Sequence, residues 1–195
     1  MKNRLLAKLP KHTPEEVSYN NLYVVDYKNI NKGGVVLHNE TPDIPHVHLL
    51  NENEIPVCFD GFSENALPTE VAGICCSQCE CIMFPAEYIE GNWILCIEMK
   101  YVDDMTNAFR KENDYPNCMI SQILETVGYF RKHGIISPNS RVHAMLAFPT
   151  LIESFSESFF TGTQTKEDIL IEHKILMRAT NVGTIISEKR IKLSD

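Results

Sequence analysis

Glu98 and Lys100 stand two positions apart near the end of an otherwise apolar run, Trp93 to Tyr101. Such a run predicts a buried strand, where ions withdrawn from water lose several kcal/mol of hydration unless something pairs with them. Alternate side chains of a strand share a face, so the carboxylate and the ammonium project together, about 7 Å apart at ~3.4 Å per residue. One divalent cation fits that gap. Glu80 begins a second apolar run, and a hairpin joining the two runs would set positions near 80 opposite 97 or 98. Two carboxylates and an amine gathered in this way can hold a hard cation, orient or help deprotonate a water, and offset charge growing on a phosphate.

The elements that must position these residues are readable from about Gly61 onward. Ser63 to Leu67 predicts a short helix capped by Ser63 and stopped by Pro68. Val71–Cys76 and Cys79–Phe84 read as strands, the second forming a hairpin with 93–101 across the polar turn Pro85 to Asn92. Ile120, Ile123, Leu124, Val127 and Phe130 recur on one helical face, which predicts a helix over 117–133 ending at Gly134. Arg141 to Phe148 reads as the strand that this helix crosses over to reach. Toward the C-terminus the pattern suggests a helix at 165–178 and a strand at 182–187. In the first third, 22–25 and 35–38 suggest a hairpin joined through Asn31-Lys-Gly-Gly34. Residues 40–56 carry Pro42, Pro45 and Pro56 and read as a surface excursion. The fold class expected is α/β, a mixed central sheet with a hairpin, flanked by helices.

The chain has 195 residues, 44% hydrophobic and 23% charged, which suits one domain spanning 1–195. No apolar stretch approaches the roughly 20 residues of a membrane span, and the N-terminus lacks the apolar run of a signal peptide, so a cytoplasmic protein is expected. The net charge of −8 argues against broad attraction to polyphosphate, although acids gathered around a metal contribute to it and local basic groups such as Arg131-Lys132-His133 remain. Seven cysteines, an odd number set mostly among apolar residues, suggest reduced core thiols. Cys76-x-x-Cys79 lacks the second ligand pair that structural zinc requires, which favours packing over metal. His46-Val-His48 has no acidic or Cys partner nearby and reads as a surface pair.

Glu80, the hairpin, Glu98-Met-Lys100, and then a crossover helix bearing Gln122 with a strand after it resemble the PD-(D/E)xK nuclease superfamily over roughly residues 60–150. Cys79-Glu80 stands where that family usually has its aspartate, so a carboxylate longer by one methylene takes the position. Pro42-Asp43 spells the first half of the motif literally, but in a proline-bearing loop 55 positions before Glu98. The resemblance implies a restriction-endonuclease-like core and hydrolysis of DNA phosphodiester bonds with Mg²⁺ or Mn²⁺. It implies Glu80 and Glu98 as metal ligands and Lys100 for the water or the transition-state charge. Gln122 would support Lys100 or the substrate, and Glu64, ahead of Glu70, would be a further metal ligand. A homodimer, or a protein partner in a defence system, also follows from the likeness. The alternative is a noncatalytic member of the same fold serving as a partner-binding or structural subunit. An isolated Glu-x-Lys on an exposed strand is usually only a cross-strand ion pair worth under about 1 kcal/mol.

Overall fold

The computed structural model describes residues 1–30, 33–69, 74–160 and 165–194, with only the backbone at 29 and 30. The chain begins with α1 (Lys2–Lys8), β1 (Glu15–Val17), β2 (Asn21–Asp26), a 3-10 turn (Tyr27–Ile30), β3 (Val35–His38), β4 (Val47–Leu50) and β5 (Val57–Gly61). The hairpin strands β6 (Cys81–Pro85) and β7 (Leu95–Met99) follow, then α2 (Met105–Ala108), α3 (Tyr115–Lys132) and β8 (Val142–Ala147). The remainder is α4 (Ser156–Phe159), α5 (Lys166–His173), β9 (Ile175–Ala179), β10 (Val182–Ser187) and β11 (Arg190–Leu193).

Two mixed sheets result. In the first the order is β1-β5-β6-β7-β8-β9, and in the second β11-β10-β4-β2-β3. Antiparallel pairing joins β5, β6 and β7 in sequence, whereas β8 lies parallel to β7 and β9 parallel to β8. A parallel neighbour needs a crossover, and α3 supplies it between β7 and β8.

The side-chain alternation of β7 explains the layering. Leu95, Ile97 and Met99 face the second sheet and pack with Leu22, Val24, Val47 and Leu49 in one core. Ile94 and Cys96 face the other way, into a core shared with Ile120, Ile123 and Val127 of α3. The first sheet is thus buried on both faces, which is why its strands read as nearly continuous apolar runs. Pro116 in the first turn of α3 and Gly134 at φ +68 just beyond it mark the helix ends as expected.

The expected strands at 22–25, 35–38, 79–84, 93–101, 141–148 and 182–187 all correspond to strands of the structure, within a few residues at each end. The 22–25 and 35–38 hairpin pairs Tyr23 with His38 and Val25 with Val36. Its connection is not a tight turn but includes the 3-10 turn at Tyr27–Ile30. Residues 71–73, half of the expected strand at 71–76, lie outside the described residues, and Cys75 bridges to Pro68.

Other expectations are corrected. Residues 40–56 do not simply wander over the surface: β4 lies inside the second sheet, with Val47 and Leu49 fully buried. Ser63 to Leu67 forms a turn rather than a helix, because the Gln78 side chain takes the Ala66 N–H at 2.7 Å and the Leu67 N–H at 3.2 Å. The helix expected at 165–178 stops at His173, and Lys174, at φ +53, turns the chain into β9. Strands β1, β5 and β11 carry no counterpart in the sequence reading.

Gly61 shows how closely the sheets approach at the end of β5. A Cβ there would lie 2.3 Å from the Val35 carbonyl oxygen, a distance only hydrogen in that position can accommodate. No helix among the described residues is long and apolar enough to cross a membrane.

Candidate active site

Antiparallel register brings the two acids of the hairpin together. Cys81 pairs with Ile97, and the Glu80 N–H donates to the Ile97 carbonyl at 3.0 Å, which sets Glu80 beside the Ile97–Glu98 step of β7. Both acids are buried, Glu98 completely, at the end of the sheet where β6 begins and β7 finishes. Like charges close together on adjacent strands repel, and Glu80 adds to the upward push on the Glu98 carboxyl. Lys100 relieves that repulsion: its Nζ donates to Glu98 Oε1 at 2.6 Å and lies 3.9 Å from Glu80 Oε1. Its side chain is one quarter exposed, so the buried acids meet solvent through the amine.

A second lysine arrives from the other sheet. Lys28, in the 3-10 turn that leaves β2, donates to Glu80 Oε2. Asp26, buried at the end of β2, accepts the Lys28 backbone N–H on Oδ1 at 2.9 Å and adds negative potential to both lysines. Tyr101 ties this corner to the hairpin. Its hydroxyl accepts the Asp26 N–H at 3.2 Å and donates to the Pro45 carbonyl at 3.0 Å. Asp26-Tyr-Lys28 therefore repeats, on the second sheet, the acid-x-lysine spacing of Glu98-Met-Lys100. That repetition was the only sequence signal for Asp26 and Lys28, and nothing local tied it to residues more than 50 positions away.

Burial dominates the protonation of the site. Loss of hydration pushes the Glu98 carboxyl up to about 8 against the pull of Lys100, and raises Glu80 as well, against the pull of Lys28. Burial alone would lower Lys100, but Glu98 and then Glu80 outweigh it and raise the amine. Lys28 is raised in the same manner, chiefly by Glu80. Tyr101 is pushed up to about 12 by burial.

The segment leading to Glu80 is held by α3. Gln122 Nε2 donates to the Gln78 carbonyl at 2.9 Å, Thr126 Oγ1 accepts the Cys79 N–H at 2.9 Å, and Glu125 Oε2 accepts the Ser77 N–H at 2.9 Å. Gln122, expected beside Lys100 or the substrate, has its amide on the main chain two residues before Glu80. Glu64 stands exposed in the turn after β5 and lines a cleft with Lys8 and Lys11. It joins none of the ion pairs of Lys28 and Lys100. Glu70 lies outside the described residues.

Among the described residues, no three His, Cys, Asp or Glu side chains are grouped so as to hold a metal ion. The donor set still suits a cation that retains most of its waters. Glu98 Oε2 is buried without a hydrogen-bond partner, and a buried carboxylate oxygen left unmatched is costly. Mg²⁺ typically takes one or two carboxylates and completes its octahedron with water and substrate oxygens. The cysteines are all free thiols, with Cys58, Cys79, Cys81 and Cys96 buried as core residues. His48 is lowered by burial and then by His46, and its Nε2 lies 2.9 Å from Asn21 Oδ1. Comparison of the chain with family models, curated proteins and solved structures finds no match in any of the three.

Proposed function

We propose that the chain is a metal-dependent nuclease with a restriction-endonuclease-like core, hydrolysing DNA phosphodiester bonds at the junction of β6 and β7. The observation that carries this reading is the triangle of Glu80, Glu98 and Lys100, with Lys100 Nζ 2.6 Å from one acid and 3.9 Å from the other. The meander β5-β6-β7 followed by the crossover α3 and the parallel strand β8 supports it too. Glu98, through its unpartnered Oε2, and Glu80 would hold Mg²⁺ or Mn²⁺. Bound there, the cation would supply Lewis-acid polarisation of the phosphate and a more acidic water.

The chain's own groups account for the rest. Lys100 sits where an ammonium can hydrogen-bond an attacking water or a nonbridging phosphate oxygen, and its charge offsets the charge that accumulates at the pentavalent phosphorus. Lys28 donates to Glu80 Oε2, and its ammonium would offer a second positive charge to a phosphate oxygen beside that of Lys100. Gln122, Thr126 and Glu125 fix the approach to Glu80 and so set its distance from Glu98.

The test is cleavage of plasmid and single-stranded DNA with Mg²⁺ or Mn²⁺ by the wild type, Lys100→Met and Glu98→Gln. Loss in both variants is expected. Equal cleavage by wild type and Lys100→Met would remove the amine from the mechanism.

One observation favours a noncatalytic, partner-binding subunit on the same fold: Lys28 already satisfies Glu80 Oε2, as a purely structural ion-pair network would. Absence of both cleavage and divalent-ion binding in the wild type would establish that alternative.

A further inference from the structure

A cleft of about 550 Å³ opens between the end of α1 and the turn after β5. That volume lies within the range of ligand pockets. Lys8, Lys11, His12, Ser63, Glu64 and Asn65 line it, and both lysines are exposed. We propose that this cleft is a phosphate subsite, holding the backbone of the nucleic-acid strand next to the bond being cut.

Three observations support the assignment. First, the cleft wall is one strand away from the backbone that carries Glu80. Gly61, in its wall, pairs with Cys81, and the Phe62 N–H donates to the Glu80 carbonyl at 2.8 Å. Adjacent strands lie about 4.8 Å apart, so one strand spacing separates the cleft wall from the backbone of Glu80. A phosphodiester chain spans that interval with neighbouring phosphates.

Second, the lining is cationic within a chain whose net charge is −8. Asp60 is buried behind His12 and bonded to it, so the charged side chains lining the cleft besides His12 are Lys8 and Lys11 against Glu64, while Ser63 and Asn65 add neutral polar groups.

Third, the lysine-bearing segment is anchored. His12 Nδ1 lies 2.6 Å from the buried Asp60 Oδ2, its Nε2 lies 3.3 Å from the Ala66 carbonyl, and its ring packs edge-on against Phe62. With both ring nitrogens engaged in the protein, His12 is a positioning residue. It ties the chain after α1 to β5 and to the opposite lip, which holds the cleft's width.

The subsite rests on the nuclease reading for its role, but its binding is measured separately. Fluorescence anisotropy with a labelled single-stranded DNA oligonucleotide, and with an RNA oligonucleotide of the same sequence, is recorded in EDTA so that no cleavage is needed. The pair Lys8→Glu with Lys11→Glu is expected to weaken binding about tenfold or more and to reduce the salt dependence by roughly one to two ion equivalents. Lys8→Arg with Lys11→Arg should retain binding. Lys189→Glu with Lys192→Glu, exposed and outside the cleft, should change it less than about threefold. The relative losses for DNA and RNA show which backbone the cleft accepts.

Equal losses in the two charge-reversal pairs would overturn the subsite in favour of general charge, as would no loss in either pair or no binding by the wild type. Selective loss at Lys8 and Lys11 in a protein that never cleaves would sink the nuclease reading and keep the cleft. Cleavage with unchanged binding in the Lys8 and Lys11 variant would do the reverse.

Discussion

Lys28 and Glu80 join the two sheets through one ion pair, the amine coming from the turn after β2 and the acid from the residue just before β6. The bond satisfies the Glu80 oxygen that a cation would otherwise take. It therefore makes Lys28 a competitor for the proposed metal position.

Lys28→Ala is accordingly expected to have opposite effects on stability and affinity. Removing one partner of a largely buried pair leaves the other charge uncompensated, and a loss of about 2–4 kcal/mol is expected in urea denaturation without divalent ions. Calorimetric titration should show Mn²⁺ binding at least severalfold tighter than in the wild type. Unchanged affinity would mean that Lys28 does not compete for Glu80.

Stability should also respond to pH in a definite direction. Burial raises the Glu98 carboxyl from its ordinary value of 4.5 to about 8, so over that interval the folded chain keeps a proton that the unfolded chain has released. Stability from this group is complete below the ordinary carboxylate range and is lost as pH rises through about 8. Glu80 and His12, both raised, act with the same sign. Measured without divalent ions, Glu98→Gln should gain on the wild type as pH rises from about 5 to about 8.5. Added Mg²⁺ should narrow that difference at the alkaline end. A difference that stays constant with pH would refute the shift.

Gly61→Ala tests the close approach of the sheets. Its Cβ would meet the Val35 carbonyl oxygen at 2.3 Å, so β3 or β5 must move. Overpacking of this kind costs about 1–3 kcal/mol, which thermal or chemical denaturation would register. A neutral substitution would show that the strands separate freely at this point.

Thr126→Val isolates the support that α3 gives to Glu80. The Cys79 N–H would lose its acceptor in a buried place, with a stability loss of about 1–3 kcal/mol expected. If the nuclease reading holds, kcat should fall more than KM changes, since the hydroxyl touches the chain before Glu80 and not the substrate. A change confined to KM would contradict a positioning role.

The pair Glu98 and Lys100 was legible because a charged side chain inside an apolar run is conspicuous and hairpin register is a local property. Glu80 was legible for the same reason. Asp26 and Lys28 were not, since their meeting with Glu80 depends on how two sheets pack, and no local pattern encodes that contact. β4 escaped because four residues are too few to establish alternation when Pro42, Pro45 and Pro56 surround them. The break between α5 and β9 escaped because a lysine, not the usual glycine, takes the left-handed position at 174. Gln122 was legible as a polar residue on the crossover helix, but its partner, a main-chain carbonyl 44 positions earlier, was not.

The parallel pairing of β10 with β4 has a consequence for biosynthesis. Until residues 182–184 have left the ribosome, the backbone of β4 at 48–50 has no neighbour on that side, while its other side is already matched by β2. The nascent chain thus carries an open strand edge through the translation of more than a hundred codons, and such an edge invites pairing with another chain. Slow elongation late in the message would prolong that exposure, so aggregation of the newborn polypeptide should depend on how quickly its last two strands are delivered.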